Sequence, residues 1–251
     1  VKNTIYLASL HARFQLLEAF RIPISIVMSL ISPTIGLLFF VLPQQSSGAS
    51  SDAVTKAVIA LVIFGVMVNS LFHFAVEISQ ARERPWGSYT RSLPVGQNSI
   101  LLSYLLSSGV LSLISVIPLV TMAILLTNAS MQLGEFIIGF ILLIITSIPF
   151  MLLGVVIGYY TVSKAAVAIV QILMLIFAFG GGLFIPPETF NELFNTISYW
   201  LPSRSSLEIV SWGTGINHDI PYKGLIGWSL WMIFLLITIT IRLKNEVDRE
   251  Y

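Results

Sequence analysis

Asn69 and His73 stand four residues apart in an otherwise apolar stretch, a spacing that puts them on one face of a helix. Gln171 is a second polar group inside an apolar run, and Phe184 follows a run of three glycines, Gly180 to Gly182. Asn69, His73, Gln171 and Phe184 are therefore the candidates for a substrate path through a membrane. Asn69, His73 and Gln171 could equally join helices by hydrogen bonds, and the sequence leaves both readings open. Ser103, Ser107, Ser108, Ser112 and Ser115 line a further run, and Gly154 with Gly158 form a GxxxG pair that permits close helix approach. Metal chemistry has no footing: there are no cysteines, and the three histidines (His11, His73, His218) are too scattered to be taken as one ligand set. No GxxxxGK[ST], HExxH or GxSxG string occurs. The usual phosphate-binding loop, the zinc-protease helix and the nucleophile elbow are thus absent, and no catalytic residue is assigned.

The elements that hold these residues are legible from where charge is missing. Of 251 residues, 56% are hydrophobic and 10% charged. An ordinary soluble domain carries about 25% charged residues, so this chain could not cover a globule with them. A bilayer is the main solvent. The net charge of +1 provides no basic field for nucleic acid. Uncharged gaps of 30, 20, 43, 28, 23 and 18 residues separate the charges that punctuate the chain. Each can hold a helix of roughly 20 residues, the length that crosses the hydrocarbon core. The expected spans are 24–42, 55–76, 99–126, 134–160, 165–185 and 223–242. Continuous apolar runs such as Phe136 to Phe150 exclude the alternating pattern of a β-barrel. The fold class is an all-α membrane protein with six transmembrane helices, in one domain over 1–251.

Residues 1–22 lack the order of a cleavable signal peptide. Tyr6, Leu7, Leu10, Phe14 and Leu17 share one helical face, and His11, Gln15 and Glu18 lie opposite. This predicts an interfacial amphipathic helix. With the N-terminus inside, ten Lys and Arg fall on the inner side and only Lys56, Arg204 and Lys223 on the outer, which places both termini in the cytoplasm. Two connections are long. The inner one, 77–98, holds the Arg82-Glu83-Arg84 cluster and is broken by Pro85, Gly87 and Pro94. A short flat helix from Trp86 to Leu93 is expected, with Trp86 and Tyr89 as its aromatics. The outer one, 186–222, is apolar at helical spacing but too short to span, so a re-entrant or interfacial segment is expected before the last helix. Gly181 and Gly182 permit the turn into it, and Pro186 and Pro202 bracket its first half.

This order of elements resembles the membrane subunit of ATP-binding-cassette exporters of the type 2 permease family, in its drug-exporter-like branch. Two stretches carry the resemblance: ARERPWGSYTRSLPVGQ (Ala81 to Gln97) and FGGGLFIPPETFNELFNTISYWLPSR (Phe179 to Arg204). It implies a permease at the bacterial plasma membrane that pairs with a second permease chain, identical or related, and with two cytoplasmic ATPase subunits. ATP and Mg would be bound by those partners, with no cofactor in this chain. Glu83, Arg84, Pro85, Trp86, Gly87 and Tyr89 would form the ATPase contact in a coupling loop. The cargo implied is amphipathic, such as a drug, an antimicrobial peptide or a lipid-like molecule. The alternatives are export of a polysaccharide or teichoic-acid-type chain, or a self-sufficient channel or carrier. After Pro202 the chain departs from many relatives, with Ser203-Arg204-Ser205 where an aromatic or histidine often stands.

Overall fold

The computed structural model describes residues 2–21, 34–83 and 97–247. Helix α1 covers Lys2–Arg21. A π-helical turn over Leu37–Val41 then leads into the short helix α2, Leu42–Ser46. The long helices are α3 (Ser51–Glu83), α4 (Gln97–Leu126), α5 (Leu133–Tyr160) and α6 (Ser163–Leu175). α6 runs on as a second π-helical turn, Ile176–Gly180. A 3-10 turn (Pro187–Thr189) and two short helices follow, α7 (Glu192–Ser198) and α8 (Pro202–Gly213), and then α9, Tyr222–Val247. Five helical stretches among the described residues are long and apolar enough to cross a bilayer. They lie in α3, in α4 from Gly109, in α5, in α6 with its π turn, and in α9 to Arg242. These match the second to sixth expected spans. The first, 24–42, falls mostly outside the described residues, and only its end is seen, in the turn before α2.

The expected loop over 77–98 begins later than its charges imply. α3 continues through Glu77 to Glu83, because Glu, Gln, Ala and Arg are all good helix formers and the first breaker is Pro85. At 33 residues α3 is about 50 Å long, well beyond the hydrocarbon thickness. Residues 84–96, including the helix expected from Trp86 to Leu93, lie outside the described residues.

α3 is the central helix. Its buried face, with Ile63, Val66, Met67, Leu71 and Ala75, meets Leu143, Phe150 and Ile157 of α5 and Val170 of α6 in one core. The backbones come close at the GxxxG pair. A Cβ built on Gly154 would lie 2.8 Å from the Phe74 Cβ and 3.0 Å from the Leu71 carbonyl oxygen. One built on Gly158 would lie 2.7 Å from the Ile78 Cβ and 3.1 Å from the Ala75 carbonyl oxygen. α1 packs on α4 through its small residues, Ala8 and Ala12, and Ser107 donates a 2.7 Å hydrogen bond to Gln15 Oε1. Of its apolar face, Tyr6, Leu10, Phe14 and Leu17 are exposed and Leu7 is half-buried.

The 186–222 segment is built by caps and prolines. Pro187 and Pro202 occupy first-turn positions, where a missing N–H costs nothing. Asn191 Oδ1 accepts from the Phe194 N–H at 2.8 Å to start α7. α8 is almost wholly buried and packs on α3, α5 and α9. Three of its four serines spend their hydroxyls on nearby carbonyls, as Ser203 Oγ does on Phe177 O at 2.8 Å and Ser206 Oγ on Pro202 O at 2.9 Å, while Ser211 Oγ has no partner among the described residues. A polar helix thereby fits inside an apolar bundle.

Candidate substrate path and coupling site

Asn69 faces α4: its Nδ2 donates to Ser115 Oγ at 2.7 Å, and Ser115 in turn donates to the Ser112 carbonyl at 2.7 Å. Ser70 and Ser112 share a 3.4 Å contact between hydroxyls one turn away. The Asn69 amide thus joins two helices, as such groups do in lipid. His73 lies beyond it, half-buried, with Nε2 shielded and without a partner among the described residues. Gln171 is exposed on α6, away from the core. Asn69, Ser70, Ser112 and Ser115 therefore form a polar seam between α3 and α4, whereas Ser107 turns to α1 and Gln171 lies on a separate surface.

Phe184 has the richest surroundings of the four. It stacks on Phe40 at 4.6 Å between ring centroids, tilts against Phe64 at 4.7 Å and meets Phe179 edge-on at 5.3 Å. Phe40 and Phe179 each belong to one of the two π-helical turns. Such turns recur at functional sites because the extra residue re-aims side chains. Here both turn an aromatic toward the same ring, where the chain leaves α6 for the 186–222 segment.

That exit depends on the two glycines named from sequence. Gly182 has φ +80°, and a Cβ there would lie 2.5 Å from the Pro187 ring. A Cβ on Gly181 would lie 1.9 Å from Ser203 Oγ and 2.5 Å from the Phe177 carbonyl oxygen. Only glycine fits where the chain doubles back against the start of α8. Pro186 is exposed in extended backbone just before the 3-10 turn, and Pro202 is buried at the start of α8.

A cavity of about 730 Å³ opens between α3, α4, α5 and the end of α8. Val58, Val62, Val120, Phe136, Leu143 and Thr214 are among the residues that line it. None of Asn69, His73, Gln171 and Phe184 does. Its apolar residues look like any core residues in one sequence, so no signal could have marked them.

At the far end of α3 the structure gives Glu83 a partner. Its carboxylate accepts the Ser163 backbone N–H at 2.8 Å and the Ser163 hydroxyl at 2.6 Å. Ser163 is the first residue of α6, so Glu83 caps that helix from outside. Arg82 does the converse for α5: its Nη1 donates to Gly158 O at 3.1 Å and to Tyr159 O, and its guanidinium lies near the Tyr159 ring. Two consecutive residues thus hold both sides of the α5–α6 turn. The sequence marks Arg82 only as a member of the Arg82-Glu83-Arg84 cluster, not as a site residue. The signal available was its place beside Glu83, one residue before a carboxylate that must point the other way. Arg84, Pro85, Trp86, Gly87 and Tyr89, the rest of the expected ATPase contact, lie outside the described residues.

At the opposite end Lys56 of α3 forms an ion pair with Glu188 of the 3-10 turn. Burial pushes the Glu188 carboxyl upward. The hydrogen bond from Lys56, a backbone N–H and the charges of Lys56 and Arg204 pull harder the other way, so its pKa lies below the usual glutamate value. A depressed folded pKa contributes stability above the ordinary glutamate range, and that contribution is lost as pH falls through the folded value. The thermal midpoint of the purified chain is therefore expected to fall on acidification below that range. The Glu188→Gln variant should show a smaller acid dependence. An identical pH profile in the two proteins would mean that the ion pair contributes nothing to acid stability.

A family model described as "ABC-2 type transporter" matches residues 8–214, most of the chain. The chain is also similar to a Bacillus subtilis (strain 168) protein named "Putative transport permease YvfS". The two are 23% identical over 227 residues, which cover 88% of this chain and 91% of the relative.

Proposed function

The chain belongs to the ABC-2 type transporter family and is a multi-pass membrane subunit of an ABC transporter, and from that premise we propose that it works as half of a dimeric, ATP-driven exporter. Both termini face the cytoplasm, and two ATPase subunits dock on the loop that follows α3. ATP and Mg are bound there, outside this chain. The cargo is amphipathic: a drug, an antimicrobial peptide or a lipid-like molecule. It enters from the inner side or leaflet and leaves near the 186–222 segment, past the aromatic group around Phe184.

The observation that supports this reading best is the grip of Arg82 and Glu83 on the α5–α6 turn. A loop that feels ATP binding can shift a two-state permease only if its movement reaches other helices. The residues that open the loop are bonded to two of them. The apolar cavity beside α3 suits an amphipathic cargo better than an ion. For a polysaccharide or teichoic-acid-type chain, rows of exposed aromatics and hydrogen-bonding groups would be wanted along the path, and the Phe184 group is compact.

The test is affinity purification of the full chain in mild detergent. An ATPase in about equal amount is expected to accompany it. The pair Glu83→Ala with Arg84→Ala should lower that recovery while leaving the amount of membrane-inserted protein unchanged. Ser163→Ala, which removes one of the two bonds to Glu83 and leaves the loop intact, should not. Full export by the double variant, or transport in liposomes without nucleotide, would overturn the reading.

A further inference from the structure

Lys56, Arg204 and Lys223, far apart in sequence, gather at one place. Arg204 Cζ and Lys223 Nζ each lie 4.8 Å from the centre of the Tyr199 ring. Arg204 Nε donates to Glu208 Oε1 at 3.0 Å, and its Nη2 reaches the Tyr199 hydroxyl at 3.4 Å. Lys56, paired to Glu188, stands on the other side of a cavity of about 240 Å³. The polar side chains lining that cavity are those of Lys56, Glu188, Tyr199, Arg204, Glu208 and Asn217.

Arg204 is the residue that needs explaining. It is only 7% exposed, and its Nη1 has no hydrogen-bond partner among the described residues. A buried guanidinium with an unused donor is costly, because the ion has lost its hydration and the unmade bond is not replaced. The two glutamates are each engaged by one cation, so the lining is balanced, and Lys223, against the Tyr199 ring but not in the lining, adds a third positive charge beside it. Donors remain on Lys56 Nζ, which has three hydrogens and one carboxylate, on the Tyr199 hydroxyl and on the Asn217 amide. From α8 the cavity takes Arg204, Leu207 and Glu208, on the first two turns of the helix.

We infer that this cavity binds a phosphate group, held by Arg204, Lys56 and Asn217 beside the first two turns of α8. Its volume admits one tetrahedral oxyanion with a few waters. The planar donor fork of arginine suits such an oxyanion better than a point charge does. The glutamates set the affinity: they keep Arg204 and Lys56 in place and leave the site moderate in strength. The same chemistry is offered by a phospholipid headgroup and by free phosphate. Binding of this kind does not depend on what drives transport.

The test uses the purified full chain in detergent with two probes. In native mass spectrometry the chain is offered phosphatidylglycerol or diacylglycerol, which lacks the phosphate. In a thermal-shift series it is offered inorganic phosphate at millimolar concentration. Phosphatidylglycerol is expected to be retained about tenfold better than diacylglycerol, the worth of one charge-assisted bond. Arg204→Lys, which keeps the charge and loses the fork, should bring the two lipids close to parity. Asn217→Asp adds a negative charge at a partly exposed position that tolerates it, and should do the same if Arg204→Lys fails to fold. A rise in thermal midpoint with phosphate that disappears in these variants, without lipid preference, makes free phosphate the ligand and supports the site. Equal retention of both lipids together with no response to phosphate overturns it. So does retention by Asn217→Asp equal to that of the unaltered chain.

Discussion

Gly158→Leu is expected to abolish the folded state of this protein in detergent, seen as loss of a monodisperse peak and of a cooperative thermal transition. The reason is geometric. α3 and α5 share the most extensive helix contact of the bundle, and at Gly158 the backbone of α5 lies against Ile78 and the Ala75 carbonyl of α3. The first carbon of any side chain would fall 2.7 Å from the Ile78 Cβ, which is anchored to backbone and cannot swing aside. Overpacking by a few atoms in a well-filled core costs about 1–3 kcal/mol. An isobutyl group here must also push α3 and α5 apart along the seam that includes Gly154. That consumes a large share of the roughly 5–15 kcal/mol by which domains are stable. Gly158→Ala should give a smaller but measurable loss, and Gly134→Leu, where a Cβ meets nothing within 4 Å, should be silent. Equal behaviour of the Gly158 and Gly134 variants would mean that α3 and α5 do not meet in this way.

Arg82→Ala should separate assembly from transport. Under the proposed function the variant still recovers its ATPase, since the rest of the loop is intact, yet exports at a rate lower by about tenfold or more. Hydrogen bonds to a charged donor are worth roughly 1.5–3 kcal/mol, and about 1.4 kcal/mol is a factor of ten. Loss of Arg82 frees the carbonyls of Gly158 and Tyr159 and leaves the α5–α6 turn held by Glu83 alone. A loop movement would then no longer be passed to α5. The measurement is ATPase turnover and transport on the same reconstituted sample. Transport and ATPase recovery falling together would place Arg82 in the docking contact instead, and unchanged transport would remove the turn from the coupling route.

Several of these features were legible in the sequence. Uncharged gaps located five helices, because a charge inside hydrocarbon is too costly to be scattered at random. The glycine run marks the place where the chain turns, and Pro187 and Pro202 stand at first-turn positions, because glycine and proline act through local backbone geometry. The end of α3 did not read correctly. Charges after Glu77 look like a loop, whereas charge is compatible with a helix that has left the bilayer.

What the sequence by itself determined is which stretches form helices long and apolar enough to cross a membrane, and where the backbone must turn. Those properties follow from composition and local propensity, and neighbours in the chain suffice to specify them. Only the tertiary structure decided which residues meet. Asn69 is paired with Ser115, Phe184 closes an aromatic group between two π turns, Glu83 caps a helix that starts at Ser163, and Arg204 is buried with Lys56, Glu188 and Glu208 nearby. Apart from Arg204 with Glu208 and Phe184 with Phe179, these contacts join positions many residues apart through helix packing, and packing is a property of matched surfaces that no single segment encodes.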